Sequence, residues 1–539
     1  MSETKLTDSG AGPLAGRWFL PLVALLLLAM GALQFHTASL EAQTFDEAVH
    51  LTAGYSYWKT GDFRLNQEHP PFAKLLAALP LLTMGLRFDT ASKNWTLPDQ
   101  SEMGREFLYT NTRPADDILT AARSVTIGFS LLLGLALALW VRSRFGELAG
   151  VAALVLYALD PNFIAHGRYV TTDVAETCLS FLSVIAWLAW LEHGRKRDLI
   201  FAALALGLSM ATKFSAPYVL PVHFGLALVQ VLRGRMRWHT AAASLTAVVA
   251  AACAICLLCY GSATFKVDKL ADHRYFSGLH ELVQHNDDGH PSFLLGNVNR
   301  KGDPAYFPVA FAVKSTEVTL LGLLLALALL PRLWRRHGPL VCLALLAYPA
   351  FYFALSMKGQ INIGVRHLLP IYPFLFALIA AAVAALPKPA AIASTAALAI
   401  GLLATNSTIY PDYLAYFNQF AGGPAGGTRY LLDSNVDWGQ DVKKLKRYMD
   451  EHDIPLVQSP ISEWQIWSTT ESATAASPAP TSPATSTRST TGSPSASPTS
   501  TTSTSTNPPS PGSSASRPPP RSVGPFTSTI SARRPSPPA

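Results

Sequence analysis

A chain of 539 residues in which 49% are hydrophobic and 14% charged is far more apolar than a soluble protein, where about a quarter of residues carry charge. That excludes a soluble globular enzyme and makes the chain an integral membrane protein. The net charge of +7 carries no nucleic-acid footprint: five arginines and two glutamates from Ser459 onward put +3 of it in the tail, and the remainder sits in short loops between apolar runs.

Residues 1–16 read as a cytoplasmic tail, and Trp18 to Phe35, preceded by Arg17, form the first apolar run. No small-residue cleavage site follows, so the run reads as a retained anchor rather than a removed signal peptide. Further runs at 119–141, 147–165, 172–191, 198–212, 215–232, 240–262, 305–331, 338–356, 366–386 and 389–406 can each cross the ~30 Å apolar layer, which predicts about eleven spans. Alternate connections are basic: Arg142 and Arg144, Arg195-Lys196-Arg197, Arg233 with Arg235 and Arg237, Arg332 with Arg335 and Arg336, and Lys388. Such loops stay in the cytoplasm. The expected fold class is an all-α polytopic bundle in the cell (inner) membrane with a cytoplasmic N-terminus. Its transmembrane domain covers 17–406, with outer loops at 36–118 and 263–304 and an outer extension at 407–458. Cys253, Cys256 and Cys259 fall in one predicted span with no evident fourth ligand, and read as small apolar packing residues.

Just past the first span come Phe45-Asp46-Glu47 and His50, then Glu68-His69-Pro70-Pro71-Phe72-Ala73-Lys74. An acidic pair at a membrane edge can deprotonate a hydroxyl or bind a cation, and a nearby lysine can meet a phosphate. The competing reading has Asp46 and Glu47 capping one helix while Pro70-Pro71 opens another. In the next outer connection Asp160 to Asp173 is strongly polar, with Arg168 a candidate orienter and Asp173 a candidate second carboxylate or helix cap. Lys213 ends a span on the outer side, where it either snorkels to water or serves a phosphate. Lys314 lies two turns into a later span, within snorkelling reach of the interface, and His290 precedes it in the outer loop. Arg366 and His367 open the tenth predicted span, where donors, backbone N–H groups and the helix dipole favour an anion. Arg366 could instead pair with a loop carboxylate. Beyond the last span, Asp433-Ser434-Asn435-Val436-Asp437-Trp438 alternates carboxylate, amide and ring, the mixture that sugar recognition uses. An ordinary polar loop has it too.

The Asp-Glu pair after the first span, Glu-x-Pro-Pro-x-x-Lys, Tyr413-Leu414-Ala415-Tyr416-Phe417-Asn418 and Asp433-Ser434-Asn435-x-Asp437-Trp438-Gly439-Gln440-Asp441 together resemble polyprenyl-phosphate-sugar-dependent membrane glycosyltransferases of the GT-C class. The resemblance is to the protein O-mannosyltransferase and aminoarabinose-transferase type, and it runs from about residue 17 to 458. It implies transfer of a hexose or pentose from a polyprenyl-phosphate donor to an acceptor on the outer face, whether protein, lipid or polysaccharide. Within it Asp46 would be the general base with Glu47 orienting it. Glu68, His69 and Asp173 would organise the acceptor or an optional divalent cation. Lys74, Arg168, Lys213, Arg366 and His367 would hold the carrier phosphate, and Asp433, Asn435, Asp437 and Trp438 the sugar. The rival class is a transporter or lipid-sugar flippase, whose intramembrane charges would gate a polar substrate.

From about Thr469 the chain is Ser, Thr, Pro and Ala with scattered Arg and no hydrophobic period, a composition that cannot bury enough surface to fold. Either 459–539 is a mucin-like disordered tail, or the reading frame slips near Ser459 and the residues after 458 are out of frame.

Overall fold

The computed structural model describes residues 17–455 except 267, 268, 270 and 271. The N-terminal tail and the Ser/Thr/Pro-rich segment, with the reading-frame expectation attached to it, lie outside the described residues. Within them the chain is helical apart from one small hairpin. Seven helices are long and apolar enough to cross a membrane: Phe19–Leu40, Ala115–Phe145, Asp173–His193, Trp238–Leu258, Glu317–Ser356, Val365–Ala384 and Lys388–Ile409. The protein is a multi-pass membrane protein.

The predicted count of about eleven is not reached by that measure, and local chemistry explains why. The run expected over 147–165 stops at Leu159, because Asp160 caps a new short helix, Pro161–His166, through its side chain. The run over 305–331 is cut after Lys314: Ser315 is extended and Thr316 caps Glu317–Ser356 by accepting from the Thr319 N–H. Glu317–Ser356, counted once, is broken at Gly338, whose φ of 79° leaves the helical region just before Pro339, so it holds two segments where separate runs ending at 331 and starting at 338 were expected. Lys196–Met210, at 15 residues, and Ala216–Leu232 are apolar but shorter than the roughly 20 residues that span the ~30 Å apolar layer.

Val365–Ala384 is the central helix, with 89% of its apolar stretch buried, whereas Phe19–Leu40, Trp238–Leu258 and Lys388–Ile409 bury under a third and turn leucines and isoleucines outward. In a membrane those outward faces meet lipid. Arg366 therefore stands at the start of the helix with the most protein around it. The expected outer loops are structured: Phe45–Thr60, Phe72–Ala78 and Gln100–Tyr109 fill the first, and Arg274–Asp288 and the hairpin Ser292–Leu294/Asn297–Asn299 fill the second. Helix Phe45–Thr60 lies so close to Phe72–Ala78 that a Cβ on Gly54 would meet the Lys74 carbonyl oxygen at 2.1 Å. Only glycine permits that approach. The hairpin turn uses Leu295 and Gly296, both at positive φ, and Leu295 N donates to Tyr430 O at 3.0 Å, tying the hairpin to the C-terminal extension.

Candidate functional site

Six separate segments converge on one cavity of about 720 Å³. Helix Phe45–Thr60 supplies Asp46 and His50; the turn before Phe72 supplies Glu68 and His69; the start of Asp173–His193 supplies Asp173; the end of Lys196–Met210 leads to Lys213. Arg366 and His367 come from the central helix, and Asp433, Asp437 and Trp438 from the C-terminal extension. Ten of the expected site residues thus share one wall.

Charge pairing organises it. Arg366 Nη1 donates to Asp46 Oδ2 at 2.9 Å and lies 3.7 Å from Asp173 Oδ2, while Lys213 Nζ meets Asp173 Oδ1 at 2.5 Å. The Arg366 guanidinium lies 4.0 Å from the centroid of the Trp438 ring. Lys213 is buried and points inward, so it does not snorkel. Asp173 is engaged with two cations, so it is not a helix cap. Several polar atoms are buried yet make no hydrogen bond among the described residues: Arg366 Nε, His367 Nε2, His69 Nδ1 and Asp173 Oδ2, the last with only the longer ion-pair contact to Arg366. Such atoms are costly to leave dry, and four of them around one cavity mark a place where a polar ligand fits.

His50 and His69 meet edge to face with centroids 5.4 Å apart. Burial, then the proximity of His50 and of Lys74, holds His69 well below the usual imidazole range, and burial lowers His50 as well. Both are neutral hydrogen-bonding groups near pH 7. Burial pushes the carboxyls of Glu68 and Asp433 up.

Four expected site residues stand elsewhere. Glu47 is fully buried beneath Asp46: its Oε1 accepts from Arg123 Nε at 2.8 Å and Val170 N at 3.0 Å, its Oε2 from Arg123 Nη2 at 2.7 Å and Thr44 N at 2.8 Å. Although burial opposes its ionisation, Arg123 and these bonds hold its carboxyl below the usual range. It is buried behind Asp46 and is not among the residues that line the cavity. Arg168 forms a buried two-pronged pair with Glu41, at 2.9 and 2.5 Å. Lys74 Nζ donates to Asn66 O, Asn66 Oδ1, His69 O and Tyr57 OH within 3.0 Å, which fixes the turn bearing Glu68 and His69. Asn435 caps the Val365 N–H through Oδ1 at 2.9 Å, so the backbone donor expected to greet an anion there is occupied. Residues Val365–Ile371 are moreover 3-10, with the α-helix beginning at Tyr372. Lys314 donates to Leu414 O and Asn435 O, both at 2.8 Å, and stays buried instead of reaching the interface.

Sequence reasoning missed Arg123 and Glu41, which lie in otherwise apolar or neutral stretches; His285 lines the cavity with His290. Among the described residues no three His, Cys, Asp or Glu side chains are placed to hold a metal ion. Glu68, His69 and Asp173 therefore form no ready ligand set for the optional divalent cation.

Residues 115–260 match the family model described as dolichyl-phosphate-mannose-protein mannosyltransferase. That stretch carries Arg123, Arg168, Asp173 and Lys213; Asp46 and Arg366 lie outside it. No curated protein matches the chain. Solved structures similar to it include ArnT from Cupriavidus metallidurans bound to undecaprenyl phosphate (17% identity, 73% of this chain and 66% of that one, TM-score 0.46). The same protein in the apo state matches with 17% identity over 73% and 65% at a TM-score of 0.47. The archaeal oligosaccharyltransferase AglB from Archaeoglobus fulgidus, with an inhibitory peptide and a dolichol-phosphate, matches at 13% over 83% and 60% with a TM-score of 0.42. The chain thus spans less than two thirds of each of these proteins' length.

Proposed function

We propose that the protein is a membrane glycosyltransferase that moves a sugar from a polyprenyl-phosphate donor to an acceptor hydroxyl or amine on the outer face of the membrane. The observation that carries this reading is the cavity in which two cations, Arg366 and Lys213, stand beside a partly exposed carboxylate, Asp46. The family match over residues 115–260 supports a lipid-phosphate-linked sugar as the donor class. A transporter or flippase is not favoured by it.

In the proposed reaction the acceptor loses its proton to the Asp46 carboxylate as its lone pair forms the new bond to the anomeric carbon. The bond from that carbon to the phosphate oxygen breaks, and the electron pair leaves with the carrier phosphate. Arg366 and Lys213 stabilise the charge that develops on that oxygen, with His367 as a further hydrogen-bonding group. Asp46 and Asp173 keep the two cations in place before the phosphate arrives. Glu68, His69, Asp433 and Asp437 are left to contact acceptor and sugar. No step requires a divalent cation.

Arg366→Ala tests the donor end. One charge-assisted contact is worth roughly 1.5–3 kcal/mol, so binding of undecaprenyl phosphate to the purified protein should weaken by that amount, with Lys restoring only part because it loses the planar fork. Unchanged affinity removes Arg366 from the phosphate site.

Sidedness is tested separately. Ser101 lines the cavity and Ser143 is exposed beyond the far end of helix Ala115–Phe145's apolar stretch. A cysteine at Ser101 should react with an impermeant thiol reagent in intact cells and one at Ser143 should not. The reverse pattern would place the cavity in the cytoplasm, where nucleotide sugars are available, and would overturn the carrier-linked donor.

A further inference from the structure

Trp438 looks from its sequence context like a stacking platform for a sugar, yet in the structure a ring face is taken by the Arg366 guanidinium at 4.0 Å. Its edge is packed at near right angles against Tyr169, with centroids 6.1 Å apart. The segment around it grips both halves of the Asp46–Arg366 pair. On the Asp46 side, Phe45 N donates to Trp438 O and Ala42 N to Gln440 O, both at 2.9 Å, on either side of the turn that starts helix Phe45–Thr60. On the Arg366 side, Asn435 Oδ1 accepts from Val365 N at 2.9 Å and Ser434 Oγ donates to Ile363 O at 2.5 Å. The contact is so close that a Cβ on Gly364 would stand 2.4 Å from Ser434 Oγ.

We propose that Trp438 is a positioning residue: its ring orients the Arg366 guanidinium toward the incoming phosphate, and the 434–440 segment fixes the distance between that cation and Asp46. The physical basis is general. A guanidinium stacks on an indole through its face, which leaves its in-plane N–H groups free for carboxylate or phosphate. Without the ring, Arg366 would fold onto Asp46 and Asp173 and present fewer donors to the cavity. The outer extension beyond the last span is thereby part of the site, not an appendage to it. The inference rests on the proposed function only in naming the anion that Arg366 receives.

The test is a double-mutant cycle on the full-length protein with undecaprenyl phosphate as probe. Trp438→Ala should lower affinity roughly 3–30-fold, the range of a cation–π contact from exposed to desolvated, and Trp438→Phe should restore most of it. Because Trp438 acts through Arg366, Trp438→Ala added to Arg366→Ala should cost almost nothing further. Additive losses, or a Phe variant as weak as the Ala variant, would show that the ring holds the fold and not the cation. Trp438 emission, isolated as the difference between wild type and Trp438→Phe, gives a second reading free of any ligand. It should shift with Arg366→Ala, while the same change made in Trp438→Phe leaves the spectrum in place; an unmoved difference spectrum overturns the stack. If the emission shift is found but Arg366→Ala leaves carrier affinity untouched, the orienting role falls at its second half and the donor assignment falls with it, whereas additive losses with a real Arg366 effect sink the positioning role alone.

Discussion

Asp46→Asn is expected to abolish most transfer while leaving the donor bound. The amide keeps the size of the side chain and can still accept a hydrogen bond from Arg366, but it cannot take a proton from the acceptor. General-base assistance is typically worth about 10²–10⁴-fold in turnover, so kcat should fall by that factor. Donor affinity should not fall, because Asp46 is the carboxylate paired with Arg366 at 2.9 Å and its neutralisation removes a competitor for the phosphate. A variant that binds carrier at least as well as wild type yet turns over hundreds of times more slowly separates chemistry from folding. Near-normal transfer by Asp46→Asn would reduce Asp46 to a tether for Arg366 and leave Glu68, whose carboxyl is raised by burial, as the base to examine next.

What could be read from the chain before folding was residue type and which residues would gather at one end of the bundle. Alternating basic loops put Asp46, Glu68, Asp173, Lys213, Arg366 and Asp433 on one face, and a polar group at the mouth of a span is expensive enough that several on one face predict a shared wet cavity. The structure brings these residues together. Burial and partnership were less legible, because they depend on residues far away in sequence. Nothing around Arg168 announces Glu41, 127 residues earlier, and Lys74 reads as a phosphate ligand until Tyr57, Asn66 and His69 are seen to surround its amine. The breaks at Asp160 and Thr316 were written in plain capping chemistry, but apolar run length outweighed them in drawing the spans, whereas the break at Gly338 falls where the runs were already separated. For Glu47 a local signal did exist. Thr44-Phe45-Asp46-Glu47 has the spacing of a capping box, a hydroxyl residue followed three positions later by an acid, and that pattern separates the adjacent acids: Glu47 turns back to the helix start and Asp46, one step earlier, faces the cavity.

Glu47→Gln should therefore behave as a folding variant rather than a catalytic one. Glu47 and Arg123 are both essentially inaccessible, at 0% and 2% exposure, and the carboxylate satisfies two backbone N–H groups besides the guanidinium. Breaking such a pair by removing one charge costs about 3–5 kcal/mol, since the surviving ion stays buried without compensation. Arg123 would keep its bonds to Ala38 O and Ala42 O, but its directly paired counter-charge would be gone, and the nearby Glu41 is committed to Arg168. The expected result is a large drop in the temperature at which the solubilised protein unfolds, with lost activity in membranes tracking lost folded protein. Correctly folded molecules should retain kcat within a small factor of wild type. Arg123→Met combined with Glu47→Gln should recover part of the stability, because replacing both charges removes the uncompensated ion that either single change leaves behind. A stable Glu47→Gln protein with kcat reduced by orders of magnitude would return Glu47 to the chemistry. In that event the base would be the buried acid, and Asp46 only its neighbour at the surface of the cavity.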